Sequence, residues 1–352
     1  MINTDAALAE FLPRLKAAPW VALDTEADSL HSYPEKLCLV QLSIPGRDVL
    51  VDPLAGLNLR PLWTALAHRE LLLHGGDYDL RLLHRGQGFT PAAVFDTMLA
   101  ARLLGLKEFG LNSLVRHFLG VELEKGPQRA DWSRRPLTER MITYARNDSH
   151  YLHPLSEALR AQLTAQGRQE WHAQMCRQLI RDACRPPDSN GEDDWRIKNS
   201  DRLDPRGQAV LRELWHWRER EARAANRPPF FVLSHDRLLD LAAAAAQGRP
   251  YQHLIPPRYS PRRRERLEAS LRHALSLPES AWPKPRQRVL LRLTQPQKRL
   301  LERLHERRDR AAARLGIDPT LIASRSTLTR LVVNWEQHAV ELLPWQRELL
   351  QA

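Results

Sequence analysis

Carboxylates in three separated stretches are the residues best suited to chemistry: Asp24 and Glu26 in WVALDTEADSL, Asp77 and Asp79 in HGGDYDL, and Asp148 in YARNDSHYL, which also carries Tyr144. Brought together, such groups need a counter-charge. Two unit negative charges about 4 Å apart repel by roughly 4 kcal/mol at an effective dielectric near 20, so four converging carboxylates are unfavourable until divalent cations join them. Donors that are all oxygen favour Mg2+ or Mn2+ over zinc, which prefers His and Cys. Two such ions about 3.5 to 4 Å apart acidify a water, set it in line and stabilise a leaving oxygen, the equipment of a two-metal phosphodiesterase. Any one of these carboxylates taken alone reads more simply as a surface or capping residue, because a lone D-T-E occurs often by chance.

Each stretch must be held by a regular element. Val21, Ala22 and Leu23 form an apolar run that predicts a buried strand, and side chains two apart on a strand share a face, so Asp24 and Glu26 point into one pocket. Asp77 and Asp79 follow the apolar run LLLHG, where a strand ends and a helix begins. Tyr144 and Asp148 stand four apart in a helical pattern and so occupy neighbouring turns of one face. Up to about residue 160, runs such as LCLVQLSI, DVLVDP and ELLLHG alternate with helical patterns, which predicts an α/β arrangement; from EALRAQLTAQGRQEWHAQMCRQLIRDAC onward the pattern is helical. RPPDSNGEDDW, residues 185–195, gathers turn formers and acids and is the clearest linker.

A chain of 352 residues with 43% hydrophobic content can bury more than one core, and its length suggests two or three domains. No apolar run approaches a membrane span, and the opening MINTDAALAEFLPRLK lacks a signal peptide's apolar block, so a soluble, cytoplasmic protein with no membrane partner is expected. Cys38, Cys176 and Cys184 make no C-x-x-C pair and read as free thiols. Gly75 and Gly76 lack the G-K-[ST] of a phosphate loop, so no nucleotide cofactor is expected. The net charge of +11 is uneven: residues 1–200 hold 24 basic against 25 acidic groups, and residues 201–352 hold 29 against 17. Arg262, Arg263, Arg264 and Arg266 in YSPRRRERLEASL suit a phosphate backbone or, equally for any one of them, a solvated helix face.

The order and context of the carboxylates carry a family likeness. DTEADSLHSYPEKLCLVQLS, HGGDYDLRLL and KGPQRADWSRRPLTERMITYARNDSHYL resemble the exonuclease family that contains ribonuclease D over roughly residues 15 to 160. The resemblance implies an α/β RNase H-like (DnaQ-like) exonuclease domain. It places the family's acidic positions on Asp24, Glu26, Asp79 and Asp148, with two Mg2+ or Mn2+ ions, and its tyrosine on Tyr144, which would hydrogen-bond the attacking water. His74 sets the middle register in favour of Asp79, leaving Asp77 to cap the helix. Relatives that use histidine place it at the position of Thr143, so this is the tyrosine type. Gln41 also matches the pattern, although a sheet residue there needs no further reason. The stretch KGPQRADWSRRPLT implies a loop shaping the site; Lys125 and Arg135 are its candidates for touching phosphate, and Trp132 for locking the loop into the core.

The segment LRELWHWREREARAANRPPFFVLSHDRLLDLAAAA, continued by IPPRYSPRRRERLEASLRHAL, resembles an HRDC domain, a small helical nucleic-acid-binding module, on Trp217, Arg218, Arg227 and Pro228. A diverged repeat follows, with Leu304 answering Leu214, Pro319 answering Pro228 and Leu328 answering Leu238. The implied layout is a 3′–5′ exonuclease domain at 1–165, a helical linker at 166–200, an all-α HRDC domain at 201–280 and a second HRDC-like domain at 285–352, which reads nearly as well as a helical extension that packs on the nuclease and binds nothing. The implied activity is 3′–5′ exoribonuclease action on RNA with a free 3′ end, transfer-RNA precursors included, releasing nucleoside 5′-monophosphates. Single-stranded DNA is a second substrate class open to the same chemistry, as in a repair exonuclease. An inactive nucleic-acid-binding scaffold would share the modules but has no chemical reason to keep four clustered charges.

Overall fold

The computed structural model describes residues 1–186, 191–284 and 293–351. The first apolar runs become β1 (Val21–Ala27), β2 (Leu37–Ile44) and β3 (Arg47–Val51), an antiparallel meander. Its second connection is closed by Pro45 and Gly46, where the backbone turns through a φ of 70° that only glycine adopts readily. β4 (Glu70–Leu73) pairs parallel to β1 on its other side, and β5 (Ala93–Asp96) pairs parallel to β4, giving the order β3-β2-β1-β4-β5. β5 is as short as β4 but lacks a run as uniform as the LLL of β4, so it is not announced in the sequence.

Both faces of the sheet are covered, so successive strand residues divide between two cores. Val21, Leu23, Leu71 and Leu73 pack with α1 (Asp5–Ala17), α2 (Arg60–Leu66) and α3 (Asp77–Gln87), through Phe11, Leu15, Leu62, Leu66, Leu80 and Leu83. Ala22 and Leu72 point the other way, onto α4 (Thr97–Leu103), α5 (Leu111–Leu119) and the helix pair α6 (Glu139–His150) and α7 (Leu152–Ala165), meeting Leu103, Leu114, Leu155 and Leu159. Each fully buried side chain of this kind contributes about 1.5–3 kcal/mol. The segment expected as a helical linker instead begins with α8 (Gln169–Ala183), whose Cys176 and Ala183 join the first core. An amphipathic stripe with a sheet edge within reach buries itself rather than remaining a free connector.

The chain divides into two units. One holds residues 28–36 and the described residues from 186 to 284; in it α9 (Pro205–Ala225), α10 (Pro229–Val232), α11 (His235–Ala246) and α12 (Pro261–Ser276) enclose Leu214, Trp217, Leu238, Leu241, Leu267 and Leu271. Of the expected linker, residues 187–190 lie outside the described residues, and Trp195 sits in this helical core. The other unit holds the sheet together with the C-terminal residues. There α13 (Gln295–Leu315), α14 (Pro319–Ile322) and α15 (Arg325–Val333) repeat the order of α9 to α11: a 21-residue helix, one turn opened by proline, then a helix capped by serine, Ser234 in one case and Ser324 in the other. The structural counterpart of Pro319 is therefore Pro229 rather than Pro228, because each opens its one-turn helix, where a missing N–H costs nothing.

Residues 285–292 of the expected second module lie outside the described residues. From α13 onward, through α16 (Trp335–His338) and α17 (Pro344–Gln351), it shares a core with the nuclease: Leu304, Ile322, Leu328 and Trp345 pack with Leu103, Leu114 and Leu155. Arg168 donates to the carbonyls of Leu103 and Leu315, and a Cβ on Gly105 would lie 2.0 Å from the Gly316 carbonyl oxygen, so the two backbones touch.

Candidate active site

The period of β1 puts Asp24 and Glu26 on the Ala22 face, against α6. That helix starts where Thr138 accepts the Met141 N–H at 3.3 Å, and it is seated by Met141 and Ala145 on Leu39 and Leu50. Its next turns carry Tyr144 and Asp148 over the strand. Carboxylate oxygens of Asp24, Glu26 and Asp148 all lie within 4.8 Å of one another, and each group keeps part of its surface open to solvent. Three of the four expected ligands thus converge from one strand and one helix. Ser43 on β2 meets Ser149 of α6 at 2.8 Å and pins the far end of the same face.

Asp79 stands beside this trio and is held by the strand residue between the two acids. Thr25 points to the opposite face of β1, where α3 begins, and its hydroxyl donates to the Asp79 carboxylate. His74 meets the Thr97 hydroxyl at 2.8 Å, and the Gly76 N–H donates to Asp96 at 2.8 Å, which together shape the strand-to-helix turn before Asp79. Asp77 lies in the first turn of α3 rather than at its cap, which is Gly76, and pairs with Arg81 one turn on. Thr25 was not singled out in the sequence; the clue was its place between two acids on a strand, which aims it at whatever covers the other face.

Burial first, then the charges of Asp79, Asp148 and Glu26, hold Asp24 well above the usual carboxylate range. Burial, followed by Asp148 and Asp79, pushes Glu26 up to about 9. Asp148 is pushed up to about 7 by burial, against the lowering effect of the nearby Tyr144 phenol, and Asp79 to about 6 by burial, against the hydrogen bond from Thr25. The Tyr144 phenol, close beside Asp148, is raised by burial and by the same carboxylates, so it stays protonated. Among the described residues no lysine or arginine pairs with these four acids. A crowded, uncompensated, all-oxygen donor set fits hard divalent cations. Gln41 is cross-strand from Asp24, fully buried, and neither atom of its amide has a hydrogen-bond partner.

The stretch before α6 is a loop, as expected, and Trp132 is buried in it at 1% exposure, 6.1 Å from the Tyr144 ring. Arg135 does not reach the site with a free cation. Its guanidinium donates to both Asp52 oxygens at 2.6 Å and to the carbonyls of Cys38, Trp132 and Arg134 at 2.8 Å, so its hydrogen-bonding capacity is spent fastening the loop to β2 and β3. Lys125 is exposed, and its carbonyl accepts from Arg140 at 2.9 Å.

In the helical unit, Trp217 is a core residue and Arg218 is buried beside Glu219, so the motif letters hold the module together. Of the arginine run, Arg263 and Arg266 both pair with the buried Glu221, at 2.8 and 2.5 Å, and only part of the run is left for an anionic partner.

Residues 1–164 match the 3′–5′ exonuclease family, and residues 207–248 match the HRDC domain. The chain is 33% identical over 358 residues to ribonuclease D of Pseudomonas paraeruginosa, covering 99% of this chain and 94% of that one. It is 36% identical over 250 residues to ribonuclease D of Sphingobium indicum, a match spanning 69% of this chain and 63% of the relative. The crystal structure of Escherichia coli RNase D, described as an exoribonuclease involved in structured RNA processing, superposes with a TM-score of 0.78 at 30% identity, over 98% of this chain and 91% of that one. With the fold, the acidic cluster and a relative matched along nearly its whole length in agreement, the chain belongs to the ribonuclease D family of 3′–5′ exonucleases.

Proposed function

We propose that this protein shortens RNA from its 3′ end one nucleotide at a time, releasing nucleoside 5′-monophosphates, with Asp24, Glu26, Asp79 and Asp148 holding two Mg2+ or Mn2+ ions. The observation that carries the reading is the trio of carboxylates within 4.8 Å of one another, with the phenol of Tyr144 close beside Asp148. When bound, such ions supply Lewis acidity for an attacking water and for the leaving 3′ oxygen. The protein's own groups do the rest. Asp24 and Glu26 present oxygens from a strand buried on both sides, so their spacing is rigid. Thr25 orients Asp79 from behind. Tyr144, kept neutral by its surroundings, stands at the rim of the cluster to position the water. Exposed Lys125 is a candidate for touching phosphate at the mouth of the site. The family likeness supports precursors of transfer RNA as substrates, and the HRDC module and the basic C-terminal half support a grip on RNA beyond the scissile end.

The test is degradation of a single-stranded RNA and its DNA counterpart with Mg2+, with Mn2+ and with EDTA, beside Asp24→Ala. Stepwise 3′ shortening of RNA that needs both metal and Asp24 is the expected result. Faster cleavage of DNA would move the substrate class to DNA, and cleavage in EDTA would refute the metal assignment.

A further inference from the structure

We propose that Gly126 is a positioning residue for Tyr144, an inference that rests on the role given to Tyr144 above. Gly126 is not among the glycines with positive φ, so its backbone does not require glycine. What requires it is the aromatic ring. A Cβ at this position would lie 1.6 Å from Cδ2, 2.2 Å from Cγ and 2.5 Å from Cε2 of Tyr144. No atom fits there, and the collision falls at the root of the ring, which a change of rotamer at a flexible tip does not relieve.

Neither partner has an easy retreat. The loop is tied to α6 next door by the Arg140 bond to the Lys125 carbonyl, and farther along by buried Trp132 and by Arg135 on Asp52. Trp132 also packs near the ring, so the tyrosine is confined by the loop's main chain at 126 and by the indole at 132. The loop therefore sets where the phenol points, and with it the phenol's approach to Asp148. Asp24 and Glu26 come from β1 and are outside this contact. A side chain at 126 is accordingly expected to damage turnover through Tyr144 while sparing the metal ligands.

The experiment is a double-mutant cycle on a single-stranded RNA substrate with Gly126→Ala, Tyr144→Phe and both together. Tyr144→Phe should lower kcat on the order of 100-fold with little change in KM. Gly126→Ala should lower kcat by about tenfold or more, again with little change in KM, and the double variant should be within about twofold of Tyr144→Phe, because two changes acting through one hydroxyl do not add. Calorimetric Mn2+ affinity in Gly126→Ala should match that in Tyr144→Phe, because both act on the same phenol beside Asp148 and leave every ligand in place. With fluorotyrosine incorporated, the 19F resonance that Tyr144→Phe removes should move in Gly126→Ala. Wild-type turnover in Gly126→Ala, a full repeat of its loss in the Tyr144→Phe background, or an unmoved resonance would each overturn the inference. Unimpaired turnover in Tyr144→Phe would instead overturn the role of Tyr144, leaving the resonance to decide whether Gly126 places the ring. Should Gly126→Ala fail to fold, adding Tyr144→Ala must restore the melting temperature, and failure to do so overturns the steric argument.

Discussion

Metal binding at the acidic cluster should be strongly coupled to pH, and the coupling can be sized from the site. Glu26 is pushed up to about 9, mainly by burial and then by Asp148 and Asp79, whereas an unfolded chain leaves it near 4.5. The sign follows: in the metal-free protein the protonated form is favoured, stability from this group is fully present below the unfolded value, and it is lost as pH rises through 9. A divalent cation binds the ionised form, so its affinity runs the opposite way. At pH 7 Glu26 is ionised in roughly one molecule in a hundred and at pH 8 in roughly one in ten, which is on the order of tenfold in affinity, or about 1.4 kcal/mol. Asp148, pushed up to about 7, adds a further factor of about two over the same interval. The assay is calorimetric titration of Mn2+ into metal-stripped protein at pH 7 and pH 8, each in two buffers of different ionisation enthalpy. At pH 7 about one proton should be released from Glu26 and about half of one from Asp148 per molecule saturated, with Asp24 adding to both, and the metal-induced rise in melting temperature should grow with pH. Equal affinities at the two pH values with no proton released would refute the reasoning, because carboxylates already ionised in the free protein would have nothing to give up.

Asp24→Ala and Asp148→Ala should each abolish RNA cleavage on a sequencing gel while filter binding shows RNA affinity within about twofold of the unsubstituted protein; equal loss of binding would count against a purely chemical role. Arg135→Ala should cost about 2 kcal/mol in urea denaturation, because it strands the 8% exposed Asp52 carboxylate without its bidentate partner, and it should leave RNA affinity nearly unchanged. A large drop in RNA affinity without loss of stability would instead assign Arg135 a contact with phosphate. Gly105→Ala forces a Cβ to within 2.0 Å of the Gly316 carbonyl oxygen on a backbone at φ 78°, so it should cost about 2 kcal/mol or more and speed amide exchange across residues 293–351. Unaltered exchange there would mean that the C-terminal helices are not held by this contact.

The local pattern by itself determined where the chemistry could be. Asp24 and Glu26 are two apart on an apolar strand, and Tyr144 and Asp148 are four apart on a helix; those periodicities assign each pair to one face without knowledge of the fold. The same logic announced β2, β3 and β4 and the 90-residue repeat of helices, because each carries its apolar run or its helical period within its own stretch of sequence. Tertiary packing decided what has no local signature. Whether Arg135 meets a phosphate or Asp52 depends on a residue 83 positions away. Whether α8 links or packs depends on an apolar edge at α3 and β5 that the helix does not contain. Gly126 reads as one more loop glycine until the ring of Tyr144 is laid against it, and Thr25 reads as a spacer until α3 brings Asp79 to its hydroxyl. Periodicity follows from the geometry of the backbone and is written along the chain, whereas the choice of partner is set by excluded volume and by charges between segments distant in sequence, which exist only once the chain has folded.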